Sequence, residues 1–238
     1  MPSNILLVQF RTDQSLPHEQ KCVSLAIGEE APRLKFMSAI VDEFPPEVLS
    51  DVGAVIFGGS GEFFLSEGAG ENSWLPKIFA FIDEIYARDI PVFGICFGHQ
   101  VMLLKEGSVI RRAPELKELG VLPITLTDAA AADPIFGVLP EKTFETILAH
   151  QDTPVDLPSH IQILGSTERV VAGAVRIGDR RAWSVMFHPD MDRATNTERV
   201  AMFPHYAEDP EKLAELIASF RDAPIAQSVL KNFALFTK

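Results

Sequence analysis

Positive charge is scarce in this sequence. Its 21 lysines and arginines stand against 33 aspartates and glutamates, a formal net charge of −12. Phosphate backbones are bound by basic surfaces, so this balance excludes nucleic acid as a partner. Cysteine is scarcer still, at Cys22 and Cys96 alone. Two cysteines make no disulfide scaffold and fit a reducing compartment. No apolar run approaches the length of a membrane span, and no basic-then-apolar stretch stands at the start. The expectation is a cytoplasmic protein with no membrane partner. Internal repeats, metal-ligand clusters and a phosphate-cradling G-x-x-x-x-G-K-S/T loop are all missing. No cofactor or metal is therefore expected, and ATP use by the chain alone is not.

What is present is a chain of 238 residues, 47% hydrophobic, enough for one large α/β domain with a sizeable core. Short, continuous apolar runs at residues 4–10, 34–40, 54–57 and 92–95 read as buried strands. Helical patterns at 17–27 and 74–88 fall between them, the second carrying Ile78, Phe81, Ile82 and Ile85 on one face. Continuous apolar strands alternating with helices predict an open, doubly wound, mostly parallel sheet covered on both faces. Strand patterns at 121–127, 143–149, 162–166, 170–177 and 182–187 follow with few helices, which predicts a small antiparallel extension. Pro123 places the first of these late or at an edge. Helices are expected at 210–221 and 225–236, as a helical extension (about 192–238) packed on a core of about 4–191. His205 and His99 read as structural, and Arg111-Arg112 as a solvated pair.

One stretch carries chemistry. The strand Val92-Phe93-Gly94-Ile95 runs into Cys96, then Gly98, then a segment of helical character from Gln100. Strand, nucleophile, tight turn and helix make a nucleophile elbow, written here G-x-C-x-G. Its reversal needs small residues on both sides. It places the sulfur at a helix N-terminus, a setting that activates cysteine. A cysteine nucleophile needs a base, and the base an orienting group. A second apolar strand pattern ends in His188-Pro189-Asp190, where a proline-fixed turn brings the carboxylate back to the imidazole.

These motifs resemble class I glutamine amidotransferases of the Cys-His-Glu triad type. Gly94-Ile95-Cys96-Phe97-Gly98-His99-Gln100 matches the nucleophile motif. Phe187-His188-Pro189-Asp190 resembles the F-H-P-E motif, with aspartate in place of glutamate. Residues 54–60 resemble the strand and Gly-Gly oxyanion loop, with Ser60 where the family usually has proline. His150-Gln151-Asp152 resembles a block beside the substrate pocket. The likeness covers residues 4–191 and is strongest to stand-alone, GMP-synthase-like members. It implies a flavodoxin-like amidotransferase fold and the triad Cys96, His188 and Asp190. It also implies that substrate is met by Gly58, Gly59, Phe97 and Gln100, with the Gly59 and Phe97 N–H groups as oxyanion donors. The rest of the loop, to residue 73, reads as flexible surface chain.

The reaction so implied is glutaminase chemistry: a cysteinyl thioester, then glutamate and ammonia, the ammonia passing to a separate synthetase. Two other readings stand beside it. One is a γ-glutamyl peptidase or hydrolase acting on other γ-glutamyl amides. The other is a catalytically weak or non-catalytic α/β protein built around a reactive cysteine.

Overall fold

The structure, a computed structural model, describes residues 3–203 and 209–237. Its first half alternates strand and helix. Strands β1 (Asn4–Gln9), β2 (Leu34–Ser38), β3 (Val52–Phe57) and β4 (Val92–Ile95) are interleaved with helices α1 (Ser15–Ile27) and α2 (Leu75–Ala87). A 3-10 turn at Pro46–Asp51 leads into β3. Helix α3 (Phe97–Lys105) leaves β4 after one residue, Cys96. Then come strands β5 (Val109–Arg112), β6 (Glu118–Leu126), β7 (Thr143–His150), β8 (Asp152–Val155), β9 (Ile161–Ser166), β10 (Ala174–Ile177) and β11 (Ala182–Val185). Helices α4 (Arg193–Met202), α5 (Pro210–Ala218) and α6 (Pro224–Phe236) close the described chain.

Nine strands pair in the order β2-β1-β3-β4-β11-β10-β9-β6-β7. The first five run parallel, and every pairing from β11 onward is antiparallel. The parallel part has the covered faces that its unbroken apolar strands require. Ile5, Leu7, Ala54, Ile56 and Phe93 pack on one side with Cys22 and Val23 of α1 and Val229 and Phe233 of α6. Leu6, Val8, Val55 and Phe57 pack on the other with Ile78, Phe81 and Ile82 of α2 and Val101 and Met102 of α3. Helix α6 reaches the centre of the sheet, its Phe233 ring 5.2 Å from Phe93.

The antiparallel part holds four strands and curls back on the parallel part. Ile147 of β7, four places from β11 in the sheet order, accepts a hydrogen bond (2.8 Å) from His188, just beyond β11. The curl sets β6 and β7 over the end of β4. Pro123 lies inside β6, which starts earlier than its proline suggests. Strand β9 pairs with β6 only at Thr125 and Leu126, so beside Pro123 one edge of β6 is open and no ladder donor is missed. The pattern at 170–177 shortens to Ala174–Ile177. Strands β5 and β8 form a separate two-stranded ribbon not anticipated from sequence. Helix α4 was not anticipated either; Asp192 caps it, accepting from the Thr195 N–H at 2.7 Å. His205 lies outside the described residues.

Candidate active site

Cys96 has φ 49° and ψ −98°, a positive-φ backbone that costs a non-glycine residue about 1–3 kcal/mol. Glycine on both sides makes the bend possible. A Cβ on Gly98 would stand 2.3 Å from the Phe57 carbonyl oxygen, and one on Gly94 would stand 2.9 Å from the Gly98 carbonyl. Two hydrogen bonds then hold the elbow. The Cys96 N–H donates to Val185 (2.8 Å) and the Gly98 N–H to Gly58 (2.9 Å). The first ties the sulfur's residue to β11, the second to the glycine loop after β3.

Strand β11 pairs in parallel with β4, Ser184 opposite Gly94 and Val185 opposite Ile95. Chain leaving the two strands therefore emerges side by side, at the carboxyl edge where open α/β sheets hold their ligands. That brings His188 to Cys96 across more than ninety positions of sequence. The His188 Nδ1 lies 3.1 Å from Asp190 Oδ1, so the shorter carboxylate does reach the imidazole. Gly59 borders the same imidazole, since a Cβ there would lie 3.2 Å from His188 Cε1. Cys96, His188 and Asp190 are all buried. Burial opposes charge on His188, but the Cys96 sulfur and the Asp190 carboxylate outweigh it and raise the pKa to about 9. Burial likewise works against the Asp190 carboxylate. His188 and, more weakly, Arg199 overcome it and hold Asp190 below the usual carboxylate range.

A buried polar group lies behind the glycine loop. Glu19 of α1 accepts hydrogen bonds from the Gly59 N–H (2.8 Å) and from Gln9 Nε2 (3.0 Å). Arg11 Nε stands 3.1 Å from Glu19 Oε1, an ion pair by distance, and Arg11 also donates to Ser15 Oγ (2.8 Å). The Gly59 N–H thus faces a carboxylate of its own chain. The Phe97 N–H opens the first turn of α3, among the donors a helix leaves unpaired.

In front of Cys96 is a cleft lined by Phe63, Phe64, Phe97, Gln100, Glu118 and His150, with Asp152 and Ser60 at its sides. Gln100 Nε2 donates to the Asp152 carbonyl (3.1 Å). The Asp152 carboxylate is saturated by the Ser66 N–H, the Ser66 hydroxyl and Arg112 Nε at 3.0, 2.7 and 3.1 Å. Arg112 also pairs with Glu67 and lies over the Phe64 ring, 4.0 Å from its centroid. Arg111 and Arg112 are both exposed, as the sequence suggests, and Arg112 in addition clamps the glycine loop. Ser60 Oγ caps the Glu62 and Phe63 N–H groups at 3.2 Å each, and Glu62 binds Thr12. The loop after Gly59 is pinned at several points, contrary to the flexible surface chain read from its glycines. His99 is fully buried with Nδ1 2.8 Å from Ser184 Oγ; burial pushes its pKa down to about 3. That is the environment of a structural histidine.

The family model for glutamine amidotransferase class-I matches residues 53–203, a span that holds the elbow, the histidine and the carboxylate. The chain belongs to the class I glutamine amidotransferases. Curated relatives of this amidotransferase include the glutamine-hydrolyzing GMP synthase of Lactococcus lactis subsp. cremoris (strain SK11), 28% identical over 156 residues. That match covers 65% of the chain but 28% of the synthase, so the chain spans under a third of that relative's length. Gamma-glutamyl peptidase 5 of Arabidopsis thaliana is 26% identical over 168 residues, covering 70% of the chain and 65% of the peptidase. A glutamine amidotransferase structure from Thermotoga maritima superposes with a TM-score of 0.76 at 18% identity, covering 98% of both chains, which establishes the shared fold.

Among the described residues of this amidotransferase, the sequence-predicted set Cys96, His188, Asp190, Gly58, Gly59, Phe97 and Gln100 converges on one edge of the sheet. Sequence reasoning missed Arg11, Glu19 and Glu118. Each is a charged residue buried only by tertiary structure, and no local pattern separates it from a surface charge.

Proposed function

We propose that the protein hydrolyses the side-chain amide of glutamine through a thioester on Cys96, releasing ammonia and glutamate. The observation that supports this reading best is the buried Cys96 elbow with His188, held 3.1 Å from Asp190, at the end of the adjacent strand. In this reading the sulfur attacks the amide carbon. His188, already charged near neutral pH, protonates the departing nitrogen so that it leaves as ammonia. The imidazole left neutral then activates water against the thioester, and glutamate departs. Asp190 fixes the ring and stabilises its charged form.

The Phe97 and Gly59 N–H groups are the oxyanion donors of this scheme, each worth about 3–4 kcal/mol in comparable hydrolases. Since the Gly59 N–H donates to Glu19, its peptide has to turn towards the cleft to serve. Gly58 and Gln100 border the bound substrate. A free nucleophilic thiol fits the reducing cytoplasm. The likeness to a glutamine-hydrolyzing GMP synthase supports a synthetase as the user of the ammonia.

A second reading has its own support. The likeness to Gamma-glutamyl peptidase 5, over 70% of this chain and 65% of that protein, supports a γ-glutamyl peptidase. Release of glutamate and ammonia from glutamine, measured beside a panel of γ-glutamyl peptides with the acyl-enzyme trapped for mass spectrometry, tests both. Faster turnover of the peptides selects the peptidase. No acyl-enzyme on Cys96 with any of them would falsify the hydrolase reading altogether.

A further inference from the structure

We propose that Arg199 is a positioning residue for the triad, its guanidinium supplying the fixed positive charge that keeps Asp190 an anion behind the His188 ring. This rests on the triad of the proposed hydrolase. The chain passes from Asp190 almost directly into α4, capped by Asp192, and α4 turns Thr195, Asn196, Arg199 and Val200 to the interior. Arg199 stands roughly 10 Å along the axis from that cap. Helix side chains lean towards the N-terminus, so this long one runs back over the turn of Thr195, towards the Asp190 end. Its contacts agree. Nε donates to His18 Nδ1 (3.0 Å), and that nitrogen lies 3.5 Å from Cys22 Sγ. The Cys22 thiol lies beside Thr195 and within reach of the Asp190 charge.

The charges behind the elbow pair off unevenly. Arg199 is 5% exposed, yet among the described residues no carboxylate lies within ion-pair distance of it and its Nη2 has no hydrogen-bond partner. Glu19, a buried acid on the same side, is taken by Arg11 at 3.1 Å. Burying a guanidinium unpaired is costly, and it cannot shed its proton to escape. In a water-excluded cluster its charge acts beyond contact distance. Burial works against the Asp190 carboxylate, while His188 and then Arg199 favour it. These two cations differ in permanence. His188 loses its charge when it gives its proton to the leaving nitrogen, whereas Arg199 keeps its own. Arg199 thus holds Asp190 ionised while the ring is neutral, the state that activates water. Other groups in reach do not replace it. Burial, then Arg199, lowers the pKa of His18, which is neutral near pH 7. Glu198 is occupied by Lys21 and His18. Lys231 of α6 borders Asp190 across an open groove shared with Asp192, but it is exposed and screened by water.

The test compares Arg199→Met and Arg199→Lys with the parent chain, all carrying Cys22→Ala so that Cys96 is the one thiol. Two rates are followed against pH. One is kcat/KM for glutamine. The other is alkylation of Cys96 by iodoacetamide, which reads the sulfur beside its imidazole and needs no amide chemistry. Without the guanidinium, Asp190 takes up a proton at higher pH. The acid limb of both profiles should therefore rise by roughly one to two pH units in Arg199→Met. Arg199→Lys should restore most of the original limb, and in an Asp190→Asn background Arg199→Met should not move it. An unmoved limb in folded Arg199→Met overturns the assignment. So does an equal drop in rate at every pH, which reports a structural role, and so does a shift that survives Asp190→Asn. Should circular dichroism show Arg199→Met unfolded, Arg199→Gln, which keeps an N–H for His18 without the charge, is read in its place. If the parent chain hydrolyses neither glutamine nor γ-glutamyl peptides, alkylation decides alone. A limb that follows the charge at 199 then leaves the role standing while the hydrolase reading fails, and a limb that ignores it removes both.

Discussion

Two cysteine–histidine–carboxylate groups occur among the described residues. Cys22 Sγ lies 3.5 Å from His18 Nδ1, and His18 Nε2 lies 3.2 Å from Glu198 Oε2. By distance this set is as well formed as His188 with Asp190. Its setting is the reverse. Cys22 is in the interior of α1, sealed from solvent, with an ordinary helical backbone and no elbow. Arg199 Nε donates to His18 Nδ1 (3.0 Å), the nitrogen that faces the sulfur. Burial, then the charge of Arg199, lowers the pKa of His18. Burial, then the Asp190 charge, pushes the Cys22 thiol up to about 12. At the elbow, the charges of the Cys96 sulfur and the Asp190 carboxylate raise the pKa of the imidazole instead. The residue types are alike in both places. The sign of the charge beside each histidine, and access from a cleft, separate a candidate nucleophile from a packing cysteine.

Substitution of the two sulfurs gives the widest separation. Cys96→Ala is expected to lower glutamine or γ-glutamyl turnover by at least roughly 10⁴-fold with an unchanged circular dichroism spectrum. Cys22→Ala should stay within about threefold of wild type. Comparable losses in the two variants would abolish the distinction. The carboxylates come next. Asp190→Asn is expected to cost roughly 10²- to 10⁴-fold in kcat, since the imidazole loses the group that sets its tautomer. Glu198→Gln should change turnover by less than about twofold, as read by glutamate release.

The smallest effect is on stability against pH. His188 has a folded pKa of about 9, above its unfolded value near 6.5. Its contribution is whole below about pH 6.5 and is lost as pH rises through about 9. His18 runs the other way. Its folded pKa is lowered, so the unfolded chain takes up a proton first and stability falls as pH drops below about 6.5. Thermal melts should show His188→Asn flattening the alkaline limb and His18→Asn the acid limb. Each kcal/mol is worth about 2–4 °C in a chain of this size. Cys96→Ala should also shrink the alkaline limb, because the sulfur helps to raise His188. Identical limbs in all three variants would contradict the assigned environments.

Much of the site is legible in sequence because its demands are local. The elbow needs small residues two positions either side of Cys96, and a Cβ at Gly98 would strike the Phe57 carbonyl. His188 and Asp190 meet within one turn. The parallel strands are legible because both their faces are covered, which leaves unbroken apolar runs. What stays hidden depends on distant chain. Glu19 and Glu118 are buried by loops and strands far away in sequence, and burial changes a charged residue's meaning without changing its neighbours. Helix α4 is too polar to show an apolar face, and Asp192 with Thr195 is its one local signal. Strand β8 contains Pro154 and β5 ends in Arg111 and Arg112, so neither has the look of a strand.

The pairing of β4 with β11 also sets when the molecule becomes chemically competent. Six strands are made between β4, which leads into Cys96, and β11, which leads towards His188. A growing or clipped chain that stops short of residue 182 therefore carries the thiol with no proton carrier beside it. On the proposed mechanism such a chain is expected to be inert until the last strand is in place beside β4.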